Sequence, residues 1–360
     1  AGIAIFEVRE NGKATEPSSL NVTKNSLENE YYKIRVADNG DIYSIFDKKT
    51  GRELLKSPAR LEFLKESPAQ WAAWNMDWKD RQHAAIDYLN QDAALKVIEN
   101  GPVRVAIEVR RKGLNSEVLQ YYSLAAGEAG KRFEVTNKID WQSRGVSLKA
   151  SFPLTASNEM ATYNLGVSTI SRSNNHETQF EVPSKEWFDL TDKSGRYGVS
   201  ILEDCKFGSD KPDDNTLRLT LLYTPEVNWK WLTYQSTQDW GIHDVKYAVF
   251  AHKGNCDEGG SAWQGKFFNQ PLLAFEAPKH EGENGKTFSM LSISNPTVGL
   301  MAYKKMETGD YYLVRFNELT GKDQKTVKVK FPADIADAYE VNGQEKKIAA
   351  ATVKNNELVF

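Results

Sequence analysis

QFEVPSKEWFDLTDKSGRYGVSILEDCKFG, residues 179–208, opens the stretch that decides the fold; LRLTLLYTP (217–225) continues it and WGIHDVKYAVFAHKG (240–254) closes it. Its apolar residues fall in short alternating runs: Phe180 and Val182, Val199 and Ile201, then Leu217, Leu219 and Leu221. A period of two over such lengths predicts half-buried β-strands. Turn formers separate the runs, Lys193-Ser194-Gly195 and the polar segment 209–215, so the strands are predicted to be antiparallel neighbours.

The chain on either side reads the same way. In LENEYYKIRVADNGDIYSIFDKKTGREL (27–54), Tyr32, Ile34 and Val36 alternate into Asp38-Asn39-Gly40-Asp41, and residues 42–46 return. Asn-Gly supplies the positive φ angles of a tight turn, so this is a hairpin. Short strands are expected at 2–8, 19–23 and 60–64. A further series follows at 95–98, 103–110, 117–124, 132–141 and 146–152, punctuated by glycine-bearing turns. Residues 80–89 suit a short helix or a loop. There is no βαβ alternation, which argues against a parallel sheet. After Phe275 the composition breaks: APKHEGENGK (277–286) is polar and charged, as a linker would be. About five short strands follow, and residues 355–360 read as a turn and the start of a strand with no partner after it. The expected fold is all-β, with a large antiparallel sandwich over 1–276, a linker at 277–286 and a small β-sandwich at 287–360.

Composition bounds what the chain can do. At 360 residues it suits roughly two domains, and 40% hydrophobic with 26% charged residues describes a globular protein. A net charge of −3, with both signs mixed, offers no basic field for nucleic acid and no polybasic patch for a membrane surface. No apolar run nears the roughly 18 residues of a spanning helix. The opening AGIAIFEVRE lacks the basic start and apolar stretch of a signal peptide, which leaves the compartment open. Cys205 and Cys256 either pair or stay free.

Catalytic motifs are missing. The five histidines (His83, His176, His243, His252 and His280) are scattered, with no HExxH or CxxC spacing, so no metal is expected in this chain. His243 and His252 flank a predicted strand about 30 Å long, too far apart to share an ion. No nucleophile elbow, phosphate loop or dinucleotide fingerprint occurs, and no acid–base pair stands out among 49 carboxylates. One local hint remains, the aromatic run SPAQWAAWNMDW (67–78). Tryptophan faces stack on the C–H faces of sugars, and a neighbouring amide or carboxylate binds hydroxyls. Trp71, Trp74, Asn75 and Asp77 suit such a wall; the alternative is that they plug one end of the sandwich. Trp229, Trp231, Tyr234 and Trp240 form a second aromatic cluster.

Several blocks resemble the C-terminal half of glycoside hydrolase family 38 α-mannosidases, in the family's order. The hairpin 27–54 is similar to the start of that region, and PAQWAAWNMDW resembles the family's W-D-A-W-D segment. ATYNLGVSTISRSNNHET (161–178), VPSKEWFDLTDKSGRYGVSILEDCKFG (182–208) and GIHDVKYAVFAHKG (241–254) resemble later blocks. SISNPTVGLMAYKK (292–305) with YYLVRFNELTGK (311–322) resembles the final small β-domain. The resemblance implies a galactose-mutarotase-like supersandwich followed by a small sandwich. It also implies a retaining, exo-acting, zinc-dependent α-mannosidase whose aspartate nucleophile and H-x-D zinc ligands lie on an N-terminal catalytic domain, with a helical bundle after it. None of those motifs is in this chain, and family members continue past the position of Phe360, so sequence is expected to be missing at both ends. The implied partners are an α-mannoside glycan, the catalytic domain and a second copy of the chain. Trp71, Trp74 and Asp77 are the residues placed at the rim of the sugar pocket, with Arg172 beside them. Ala72 and Asn75 depart from the family's aspartates, which weakens a polar role for the loop. A free-standing carbohydrate-binding module and a mutarotase-like epimerase, using His176 or His243 opposite a carboxylate, stay open as alternatives.

Overall fold

The hairpin turns at Asn39-Gly40 as expected, but only Gly40 takes a positive φ, and residues 37–41 span the turn, the Gly40 N–H donating to the Ala37 carbonyl at 2.8 Å. In the computed structural model, which describes residues 2–7, 19–226, 238–278, 280–283 and 285–360, Gly40 has φ +85° and an added Cβ would strike Val109 and Arg111 at 2.6 Å. The flanking strands Tyr32–Val36 and Ile42–Asp47 pair antiparallel, with Ile34 opposite Ile45. They belong to a five-stranded sheet with Asn21–Thr23, Ser26–Glu28 and Arg52–Glu53.

Two larger antiparallel sheets carry the core. The nine-stranded sheet runs, in spatial order, Thr169–Ser173, Met160–Asn164, Trp187–Thr191, Tyr197–Asp204, Gly241–Lys253, Phe133–Trp141, Ser116–Ala125, Arg104–Gly113 and Gln91–Asn100. The six-stranded sheet runs Val182–Pro183, Gly208–Asp210, Thr216–Thr224, Val146–Pro153, Arg60–Lys65 and Asp87–Tyr88. The apolar runs of the stretch 179–254 that fall in described residues lie on strands, apart from Phe180, as their alternation predicts, but the runs are not one series of neighbours. Phe188, Val199 and Ile201 lie in the larger sheet, whereas Val182, Leu217 and Leu219 lie in the smaller one. Alternation tells which side chains point inward and is silent on which sheet a strand joins.

Period-two patterning builds the interior. Leu148, Ala150 and Phe152 from one sheet and Val135, Val199 and Ile201 from the other are wholly buried in one cluster. Phe152 meets Tyr247 across the layers with ring centroids 5.7 Å apart. Each such side chain contributes roughly 1.5–3 kcal/mol by leaving water. The opposite face of the nine-stranded sheet carries Trp187, Leu202, Ala248 and Phe250, covered by the helices Cys256–Gly259 and Ser261–Asn269. Sequence patterning does not reveal these helices. The single-turn helix Trp78–Arg81 overlaps the 80–89 window only at its start. Both cysteines are free, Cys205 exposed and Cys256 buried.

The chain divides into two compact units, Ala14–Pro271, and Ala1–Lys13 together with Leu272–Phe360. Gly2–Ala4 pairs with Thr287–Ser289, so the second unit draws on both ends of the chain. Its four-stranded sheet orders Ser292–Ile293, Lys328–Lys330, Glu357–Val359 and Thr352–Lys354. The final strand, expected to lack a partner after it, has two before it. Among the described residues no helix is long and apolar enough to cross a membrane.

Candidate functional site

The face of the six-stranded sheet turned away from the core is charged. Alternation that sends Leu148, Ala150 and Phe152 inward sends Ser147, Lys149 and Ser151 outward. A register shift after Leu148 sets Lys149 opposite Thr220, with Glu62 on its other side. Lys149 Nζ reaches Asp210 Oδ1 at 2.8 Å and Glu181 Oε2 at 2.5 Å. Arg218 grips Asp210 with two nitrogens, Nε to Oδ1 being 3.0 Å, and its Nη1 meets Glu62 Oε1 at 3.1 Å. Asn175 Nδ2 donates to Asp210 Oδ2 at 2.7 Å. Lys149 and Asp210 are wholly buried, which charges tolerate only when paired this fully. Burial pushes the Asp210 carboxyl up, but Arg218 and Lys149 outweigh it and hold the group well below the usual carboxylate range. Glu181 ends the network. Its side chain keeps 17% exposure, and Thr220 Oγ1 donates to its other oxygen at 2.5 Å.

The aromatic loop stands over this face. Trp71 adopts φ +57°, a left-handed turn, and its carbonyl accepts the N–H groups of Trp74 and Asn75 at 3.0 and 2.9 Å. The turn stacks the two indoles at 5.6 Å and 15°, leaving Trp71 50% and Trp74 75% exposed. Tyr223 Oη donates to the Asn75 carbonyl at 2.6 Å, and Trp78 packs on Phe180 at 5.6 Å. Beneath the loop, Arg81 and Glu66 form a wholly buried pair, to which Ser147 Oγ donates at 2.7 Å. Between the loop and residues 178–181 lies a hollow of about 460 Å³, bordered by Trp74, Asn75, Phe180, Glu181, Thr220 and Tyr223. Aromatic faces beside a carboxylate and a phenol suit a polyhydroxylated ligand.

Residues 27–229 match the glycosyl hydrolases family 38 C-terminal domain, more than half of the chain. The chain belongs to glycosyl hydrolase family 38. Residues 297–359 match the family's C-terminal beta sandwich domain. Alpha-mannosidase 2C1 of Mus musculus is 28% identical over 292 residues, covering 78% of this chain and 27% of the relative. The Saccharomyces cerevisiae alpha-mannosidase is 24% identical and covers 95% of this chain and 32% of its own length. A family 38 structure from Enterococcus faecalis superposes with TM-score 0.78 at 17% identity, over 98% of this chain and 45% of that one, which establishes the shared fold. The chain thus spans about a quarter to a third of the curated relatives it matches, and within family 38 it corresponds to the C-terminal region of α-mannosidases.

Of the rim residues expected from the family 38 resemblance, Trp74 borders the hollow, and Trp71 reaches it through the stack on Trp74. Asp77 is occupied within the loop: it accepts from Ala69 N at 2.8 Å and Asn75 Nδ2 at 3.2 Å, with Lys79 Nζ at 3.5 Å. Arg172 is spent elsewhere, donating to the Pro183 carbonyl at 2.8 Å over the Tyr163 ring. Trp229, Trp231 and Tyr234 lie outside the described residues, and the Arg144 guanidinium sits 5.5 Å from the Trp240 ring. Sequence reading missed Glu181, Tyr223 and Lys149. The signal for Lys149 is present in VSLKASF, where a lysine flanked by serines at period two marks a polar outer face.

Among the described residues no three His, Cys, Asp or Glu side chains converge to hold a metal such as zinc. His252 is buried against Asp189 at 2.7 Å, His243 Nε2 lies 3.0 Å from the Asp239 carbonyl, and His176 Nδ1 lies 3.2 Å from Thr178 Oγ1.

Proposed function

We propose that this chain supports the catalytic part of a retaining, zinc-dependent α-mannosidase and that the hollow beside Trp74 forms part of its sugar-binding wall. One observation carries the reading. A family 38 C-terminal region has, among the described residues, no three His, Cys, Asp or Glu side chains placed to hold a metal, yet holds an exposed, stacked tryptophan pair beside a hollow that Glu181 and Tyr223 border. The zinc ligands and the nucleophile then belong to the rest of the protein, and the ligand is a terminal α-mannosyl group of a glycan. The test is hydrolysis of an aryl α-mannoside by the purified chain, with zinc added and then chelated, followed by addition of the catalytic part. Turnover is expected only after that addition. Zinc-dependent turnover by the chain alone, above a contaminant control, overturns the proposal.

The 75% exposure of Trp74 favours a second reading, an autonomous carbohydrate-binding module. That reading requires saturable binding of methyl α-mannoside with undiminished affinity when the catalytic part is absent. The epimerase alternative lacks support, because His176 faces a threonine and the carboxylate beside His243, Asp239 at 3.9 Å, is 79% exposed and not set across a pocket.

A further inference from the structure

We infer that the hollow accepts neutral polyhydroxyl ligands and rejects anionic ones, and that Glu181 makes this selection. The inference rests on reading the hollow as a sugar-binding wall. In the network beneath it, three carboxylates (Glu62, Glu181 and Asp210) face two cations (Lys149 and Arg218), which leaves one formal negative charge. Its location follows from the hydrogen bonds. Asp210 is saturated by Lys149, Arg218 and Asn175 and is wholly buried. Glu62 is buried against Arg218. Glu181 alone of the three borders the hollow, and each of its oxygens holds one partner, Lys149 or Thr220.

A carboxylate oxygen accepts more than one hydrogen bond, so both oxygens of Glu181 retain capacity toward the hollow. Two adjacent sugar hydroxyls can donate there while the ring's C–H face lies on Trp74. A phosphate or uronate group offers no such donors and brings a like charge onto the same carboxylate. At a few ångströms and an effective dielectric between those of protein and water, that repulsion weakens binding about tenfold. Lys149 acts as a positioning residue, since it touches Glu181 and does not border the hollow, whereas Thr220 both donates to Glu181 and borders the hollow.

Saturation-transfer NMR on the full chain tests this with methyl α-mannoside and mannose 6-phosphate as probes. The neutral sugar is expected to bind, and the phosphate ester about tenfold more weakly. Glu181→Gln keeps the shape and should close the gap to within about twofold, while Thr220→Val, which removes no charge, should leave it. Trp74→Ala should weaken both probes alike. In the unmodified protein, raising salt from about 0.02 to 0.5 M should narrow the gap by screening, a readout independent of how any variant folds. A gap that survives both Glu181→Gln and high salt, with the neutral sugar still bound through Trp74, overturns the role of Glu181 and leaves the sugar wall standing. Failure of the neutral sugar to bind at all overturns both.

Discussion

Glu203 lies on the strand Tyr197–Asp204 with its carboxyl wholly buried, and neither oxygen has a hydrogen-bond partner of normal geometry. Burial pushes its pKa up to about 8, and the neighbouring Ser184 hydroxyl offsets only part of that. A raised folded-state value means that the native chain holds a proton the unfolded chain releases near pH 4.5, so stability falls as pH rises from there toward 8. Glu203→Gln removes this loss, and denaturant unfolding should find the variant more stable by about 1–3 kcal/mol at pH 8 with little difference near pH 4.5. An advantage that does not change with pH would reject the explanation. Lys149 poses the opposite case. Lys149→Met strands the Glu181 and Asp210 charges and should cost about 3–5 kcal/mol, whereas Lys149→Met with Glu181→Gln should cost less than the single change. Additive losses would mean that the network is not coupled.

At the scale of elements, the aromatic loop and the helical pair differ in what positions them. The loop is closed at its base by the Glu66–Arg81 pair that flanks it and is held by Tyr223, remote in sequence, so its alternation-free run of tryptophans could be noticed but not aimed from sequence. The helices Cys256–Gly259 and Ser261–Asn269 were illegible for another reason. Two adjacent glycines break the pattern between them, and Gly260 turns the chain at φ +82°. Asn255 Oδ1 still caps the first by accepting the Glu258 N–H at 2.9 Å. Gly259 is there because His252 leaves no room: an added Cβ would lie 2.4 Å from the His252 Cβ. Gly259→Ala should therefore destabilise the chain by about 1–3 kcal/mol despite alanine's better helix propensity. A gain in melting temperature would show that the helices can lift off the imidazole.

Over the whole molecule the titrating groups oppose one another. Asp210, held low by Arg218 and Lys149, contributes stability that is present above its unfolded value of about 3.9 and lost as pH falls. For His252, burial pushes the pKa down but Asp189 outweighs it, so the value is raised. Its contribution is full below the unfolded value of about 6.5 and is lost as pH rises through the folded one. Glu203 acts in the same direction as His252. These signs put the stability maximum on the acid side of neutrality, at about pH 5–6.5, measurable as the denaturant midpoint across pH. A maximum above pH 7.5 would mean that Glu203 and His252 titrate as exposed groups do.

Sequence by itself determined that the chain is predominantly antiparallel strand, where the hairpin around Asn39-Gly40 turns, and which face of each strand is apolar. Those are local properties: side-chain alternation and backbone φ are set by neighbours along the chain. The ordered motif blocks likewise carried the family. Tertiary structure alone decided which sheet each strand joins, that the ends of the chain share a unit through Gly2–Ala4 and Thr287–Ser289, and that Glu181 rather than Asp77 borders the hollow. Pairing between distant strands and the sharing of buried charges depend on contacts across many residues, such as Lys149 with Asp210, and no period in the sequence encodes them.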